Sequence, residues 1–203
     1  IDQTVEAIVE ADANRTVVRI GFDSGREDKV SFNRRHHMKN GRTFTHPRQN
    51  NPEMLGYAGL IDPEVGVIGV WDKDGTLLGC VVNFACHATT THGRGHTSAD
   101  YIRNIEQVIQ GTFGEQAVLV FLNGASGDIT QVNNLMTEAR PLSGKPVSQF
   151  VGGRVGAEAV KVLFSISARA TDVTLDVKSE ILSIARRVPS PERVAEARRL
   201  LES

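Results

Sequence analysis

The chain has 203 residues, 40% of them hydrophobic and 23% charged, with a formal net charge of −1; that size and apolar share suit one globular domain with its own core. Mixed, near-balanced charge excludes a basic nucleic-acid footprint and strong attraction to an anionic membrane, and 5% aromatic content gives no base-stacking platform. No apolar run approaches the ~20 residues of a membrane-spanning helix.

Val5, Ile8 and Val9 recur at helical spacing and predict an amphipathic helix over residues 2–12. Residues 16–22 alternate and are β-branched, which predicts a strand. Residues 23–62 are polar and hold three of the six histidines, with the rigid dipeptides His46-Pro47 and Asn51-Pro52; they read as one long loop, functional or mobile. Two apolar runs, 65–71 and 77–87, flank Lys73-Asp74-Gly75, a strong hairpin signal. Cys80 and Cys86 both fall in the second run. Six residues of strand span roughly 20 Å, too far for a disulfide between them, so they read as buried free thiols.

A helix is expected from about Ser98, its N-cap, with Ile102, Ile105, Val108 and Ile109 as the buried stripe. Residues 117–122 form a continuous apolar run, the pattern of a strand buried on both faces. A longer helix follows over 148–164, with Gly152, Gly153 and Gly156 permitting close packing. Residues 173–184 read as strand, and Pro189-Ser190-Pro191 opens a last helix over 192–202. Strands alternating with helices give an α/β fold: a mixed β-sheet flanked by helices, within a single incomplete domain over 1–203. The chain starts and stops within helical patterns, so further sequence is expected on both sides.

Three segments could carry chemistry, each in a loop or after a strand end. Asn83-Phe84-Ala85-Cys86-His87-Ala88-Thr89-Thr90 delivers a histidine and several hydroxyls at the end of an apolar strand. His87 is either a core histidine or a ligand. His92 and His96 follow at spacings of five and four, so three imidazoles could meet on one zinc, or the latter two could be solvated. Asn123-Gly124-Ala125-Ser126-Gly127-Asp128-Ile129-Thr130 could be a tight turn with Asp128 bonded to its own backbone. It could equally be a ligand loop, in which glycines let backbone amides come close. Asn33-Arg34-Arg35-His36-His37 is either a solvated basic loop or a source of a bidentate guanidinium for a carbonyl or carboxylate.

In this order and spacing, the Asn-Arg element, the Asn-Pro and Asp-Pro loop, the NFACHATT strand end, Ser98-Ala99-Asp100-Tyr101 and FLNGASGDIT resemble the neutral/alkaline (non-lysosomal) ceramidase family, over most of residues 1–170. The resemblance implies a catalytic zinc held by two histidines, a glutamate and a tyrosine, and attack of a zinc-bound water or hydroxide on an amide carbonyl. It places His87 at the second zinc histidine, Arg34 at an arginine that contacts the substrate carbonyl, and Asp128 and Thr130 at an Asp (or Asn) and a catalytic Ser. The other three ligands would lie outside residues 1–203. The family's Ser-Pro-Asn is Thr130-Gln131-Val132-Asn133 here, so the hydroxyl is kept and a methyl is added.

The resemblance further implies Zn2+ as cofactor and an N-acyl amide or lipid as substrate. It also implies a secreted or periplasmic location and dependence on the remainder of the catalytic domain, the fragment alone being inactive. In this scheme Arg34 stabilises the oxyanion, Thr130 orients a substrate hydroxyl or assists attack, and Asp128 positions Thr130 or accepts a substrate hydrogen bond. Two other readings are a non-catalytic lipid- or carbohydrate-binding module, and a metal-dependent phosphate-ester hydrolase using Asp128 and Thr130.

Overall fold

The computed structural model describes residues 2–91, 95, 97–138 and 141–202. The elements in chain order are α1 (Asp2–Ala13), β1 (Arg19–Arg26), β2 (Phe32–Asn33), β3 (Arg35–Met38), β4 (Thr43–Thr45), β5 (Met54–Tyr57), β6 (Glu64–Trp71), β7 (Leu77–Phe84), α2 (Tyr101–Phe113), β8 (Val118–Asn123), β9 (Ile129–Thr130), α3 (Lys145–Ser165) and α4 (Pro191–Leu201). They fall into two compact units, Ile1–Val173 and Thr174–Ser203. No helix among the described residues is long and apolar enough to cross a membrane.

The first unit is built on a mixed sheet in the order β1-β6-β7-β8. β1, β6 and β7 run antiparallel, and β8 joins β7 in parallel. Antiparallel neighbours can share a tight turn: the Asp72 carboxylate accepts from the amides of Asp74 and Thr76, and Gly75 takes φ 88° between β6 and β7. A parallel neighbour needs a crossover, which α2 supplies. Period-two alternation sends Val65, Val67, Val82 and Phe84 to one face. There they meet Tyr101, Ile105 and Ile109 of α2 and Val151, Val155 and Val162 of α3 in one core.

Gly152 and Gly156 let α3 lie close against α2: a Cβ at Gly152 would stand 2.3 Å from the Tyr101 carbonyl oxygen, and one at Gly156 2.9 Å from Val108 Cβ. Gly153 faces open space, so only two of the three helix glycines serve packing. The 117–122 run is buried on one face only. β8 is an edge strand whose Val118, Val120 and Leu122 are 61%, 49% and 52% exposed, because both helices lie on the opposite side. α1 buries none of its residues, so its apolar stripe shapes a helix without a packing partner among the described residues.

Four further expectations need revision. β1 begins at Arg19 rather than residue 16 and runs on to Arg26. α2 begins at Tyr101, capped by Asp100, while Ser98 accepts from the Asp100 amide instead. Residues 23–62 are not one loop, since they contain the three-stranded sheet β4-β3-β5 and the strand β2. The strand expected over 173–184 is absent. Leu175, Val177, Ile181 and Ile184 are all more than 80% exposed, and alternation without a ladder partner does not make a strand. The last pairing before it is the isolated bridge from Ala170 to Ile20. The second unit holds α4, with Ser190 as N-cap and Pro191 in its first turn.

His36, at the centre of β3, pairs across to both Phe44 and Tyr57 and is 0% exposed, stacking at 5.0 Å on the Tyr57 ring. Among the described residues, neither ring nitrogen has a hydrogen-bond partner of good geometry. Burial pushes its pKa below the ordinary 6.5, opposed only by the Arg34 backbone.

Two predictions follow from this packing. Gly152→Ala should cost about 1–3 kcal/mol by overpacking, while Gly153→Ala should stabilise by up to about 1 kcal/mol through helix propensity. Equal losses in denaturant unfolding would contradict the packing. For His36 the folded form binds its proton less readily than the unfolded form, so stability is full above the ordinary value of 6.5 and falls as pH drops through it. His36→Phe should flatten the dependence of Tm on pH between about 7 and 5; an unchanged slope would show that His36 does not set it.

Candidate active site

The parallel pairing of β7 and β8 sets the site. Phe84 and Asn123 are the last partners of the ladder, and the Gly124 amide extends it to the Phe84 carbonyl at 3.0 Å. Gly124 must be small here, because its Cβ would stand 3.0 Å from Ala85 Cβ. Both strands end on the same side, so the loops after them emerge together.

His87, three residues past β7, meets Ser126, three residues past β8, with Nδ1 3.3 Å from Ser126 Oγ. The Asn123 amide turns its nitrogen to the carbonyls of Phe84 and Cys86 (3.2 and 2.9 Å), and its oxygen accepts from Ser126 Oγ at 3.1 Å. Ser126 therefore donates to Asn123 and accepts from His87, which fixes the proton on His87 Nδ1 and leaves Nε2 as the lone-pair nitrogen.

The loop that carries His87 is pinned from α2. Tyr101 Oη donates to the Cys86 carbonyl at 2.8 Å. The Asp100 carboxylate gathers Thr90 Oγ1, the Thr91 amide and hydroxyl, and the Tyr101 amide, all within 2.7–2.8 Å. Burial alone would raise the Asp100 carboxyl, but the hydrogen bonds from Thr90, Tyr101 and Thr91 outweigh it and hold the pKa below the ordinary value. Asp100 adopts φ 55°, an unfavourable conformation for a non-glycine that this network sustains. Cys80 and Cys86 are free and buried, and burial pushes their thiols up to about 11 and about 12, so neither is a nucleophile at neutral pH.

β9 follows the turn at 124–128 and pairs with β2, Phe32 opposite Thr130 and Asn33 opposite Ile129. This short ladder brings Arg34 beside Asp128 and Thr130. The Arg34 amide donates to the Asp128 carbonyl at 2.7 Å, and its guanidinium donates to the Gly127 carbonyl at 2.5 Å. The Asp128 carboxylate accepts from Asn33 Nδ2 at 2.7 Å, and the Thr130 hydroxyl lies against Gln131.

His46, which sequence reasoning noted only as part of a rigid dipeptide, joins this group. Its amide donates to the Arg34 carbonyl at 2.8 Å and its φ is 50°. Burial lowers its pKa first, followed by the nearby charges of Arg34, His36 and His87. His46 and Thr130 share the wall of a cleft of about 760 Å³ with Thr89, Gln131 and Leu142. His87, Arg34 and Asp128 do not line it. An apolar hollow of about 410 Å³, lined by Val30, Phe32, Met136 and Phe150, shares Gln131, Val132 and Leu142 with the cleft.

No three His, Cys, Asp or Glu side chains converge as a metal site among the described residues. The three-histidine arrangement needs His92 and His96, which lie outside the described residues.

No protein-family model and no curated protein sequence matches the chain. Solved structures do. The chain is similar to the crystal structure of neutral ceramidase from Pseudomonas aeruginosa, with a TM-score of 0.62 and 22% identity over 83% of this chain. It is similar to a ceramidase complexed with C2, with a TM-score of 0.59 and 22% identity over the same 83%. The chain spans about a quarter of each, 26% and 27% of their lengths. What it shares with these two structures is the fold of one part of them.

Proposed function

We propose that this chain is part of the catalytic domain of a zinc-dependent amide hydrolase acting on an N-acyl, lipid-like substrate. One observation carries the reading: a fold like that of the neutral ceramidases brings His87, Arg34, Asp128 and Thr130 to one end of its sheet. A zinc ion, when bound, polarises the scissile carbonyl and lowers the pKa of its water toward ~7.

His87 suits one zinc position, because the Nδ1–H given to Ser126 presents Nε2 as a ligand and holds the ring in orientation. One imidazole does not hold zinc tightly, so the remaining ligands belong to further parts of the protein. Arg34 keeps one guanidinium nitrogen on the Gly127 carbonyl, which aims the group; its remaining N–H donors serve the oxyanion that develops on the carbonyl. Asp128, through Asn33, holds β2 against β9 and so keeps Arg34 beside Thr130. Thr130 meets the substrate in the cleft. The apolar hollow beside it suits an acyl chain, each buried CH2 contributing about 0.8 kcal/mol.

Metal content by mass spectrometry on the full-length protein tests the reading directly. Wild type is expected to carry about one zinc per chain, and His87→Ala to lose both zinc and N-acyl amide hydrolysis while keeping its circular dichroism spectrum. A folded, zinc-free wild type would refute the proposal in favour of a binding module. Arg34→Ala should lower kcat by about 10²–10³ with a smaller effect on KM, as expected for a donor that acts on the transition state. A change confined to KM would assign Arg34 to ground-state binding instead.

A further inference from the structure

Gln131 is committed at both ends of its side-chain amide. Its Nε2 donates to the carbonyl oxygens of Thr89 and Leu142, both at 3.4 Å. Its Oε1 faces the hydroxyls of Thr89 at 3.2 Å and Thr130 at 3.4 Å. Carbonyl oxygens can only accept, so the amide cannot turn over, and the two hydroxyls at Oε1 must donate. The four bonds are long, but they converge on one side chain and tie the loop after His87, the turn at Thr130 and the segment at Leu142 into one wall of the cleft.

Thr130 is 3% exposed, and its Oγ1 also receives the Val132 amide at 3.3 Å. Its proton is directed to Gln131, one lone pair is taken by Val132, and one lone pair is left. The β-branch restricts χ1 further. An amide oxygen is far too weak a base to remove the hydroxyl proton, so this arrangement orients Thr130 without activating it.

We infer that Gln131 is a positioning residue that fixes the direction of the Thr130 hydroxyl proton, so that Thr130 meets the substrate as a hydrogen-bond acceptor. The inference rests on the amide-hydrolase reading and narrows its substrate class to N-acyl amides with a hydroxyl or N–H donor beside the scissile bond. A substrate lacking that donor leaves the buried Thr130 lone pair unmatched and reacts more slowly.

The test uses the full-length protein with a fluorogenic N-acyl amino alcohol and its O-methyl ether, in wild type, Gln131→Met, Thr130→Val and the double variant. Methionine keeps the length of the side chain and removes its acceptor. Wild type should favour the free hydroxyl by about five- to tenfold in kcat/KM. Each single variant should reduce that preference to within about twofold, and the double variant should reduce it no further. A merely structural role would slow both substrates alike with the preference intact, and that result overturns the inference, as does a wild type with no preference. If wild type hydrolyses neither substrate, the amide reading itself falls, and thermal unfolding of the same four proteins decides the contact. Losses in Tm that simply add would then overturn the coupling of Gln131 to Thr130, while a double variant losing less than the sum would retain it.

Discussion

The parallel ladder between β7 and β8 is the constraint on which the rest depends. Two strands that run the same way end at the same edge, so Phe84 and Asn123 stop side by side and the chain leaves both through loops that must share space. Gly124 allows that approach, and Asn123 turns its amide back onto the Phe84 and Cys86 carbonyls. The Asn123–Ser126–His87 chain follows from this geometry. An antiparallel partner at the same place would have put Ser126 at the far end of the sheet.

Both loops are then fixed from outside the sheet, and by different means. Polar groups hold the His87 loop: a largely buried Asp100, in a backbone conformation that disfavours any side chain, supplies acceptors for four donors. The turn at Thr130 is held by backbone pairing with β2 and by the Asn33 and Arg34 side chains. The positive-φ residues His46, Asn50 and Asp100 and the dense side-chain hydrogen bonding lie in the loops above the sheet, while the core beneath is apolar, with Trp71, Phe84 and Tyr101 among its aliphatic side chains. This division is expected where rigid packing below supports strain above.

Where apolar period and burial coincide, the sequence is transparent. The β6–β7 hairpin, α2, α3 and α4 are legible because each has a clean repeat or a turn and cap signal. The small sheet inside 23–62 is not, because its strands are three or four residues long, and residues such as Arg35, His36 and His37 carry no apolar alternation. Its order comes from long-range ladders that no local pattern records. Residues 173–184 fail the opposite way: Val173, Leu175 and Val177 alternate well but meet no ladder. Among the candidate residues, His87, Asp128 and Thr130 were visible after predicted strands and Arg34 in a basic segment, while only the resemblance assigned them roles. Ser126, His46 and Gln131 were not, because their roles are set by what faces them, and only Pro47 after His46 hinted at a fixed backbone there.

The balance of charge around Arg34 fits the chemistry proposed for it. His36 and His46 lie near Arg34, and burial lowers the pKa of each, with Arg34 itself adding to the effect at His46. At neutral pH both are therefore disposed to be neutral and to leave Arg34 as the fixed positive charge of the group. Asp128, the carboxylate in the turn, accepts from the Asn33 amide nitrogen, and the Arg34 guanidinium rests instead on the neutral Gly127 carbonyl. A guanidinium neutralised by a carboxylate would have little field left for a developing oxyanion. One aimed by a backbone carbonyl keeps its charge for the reaction.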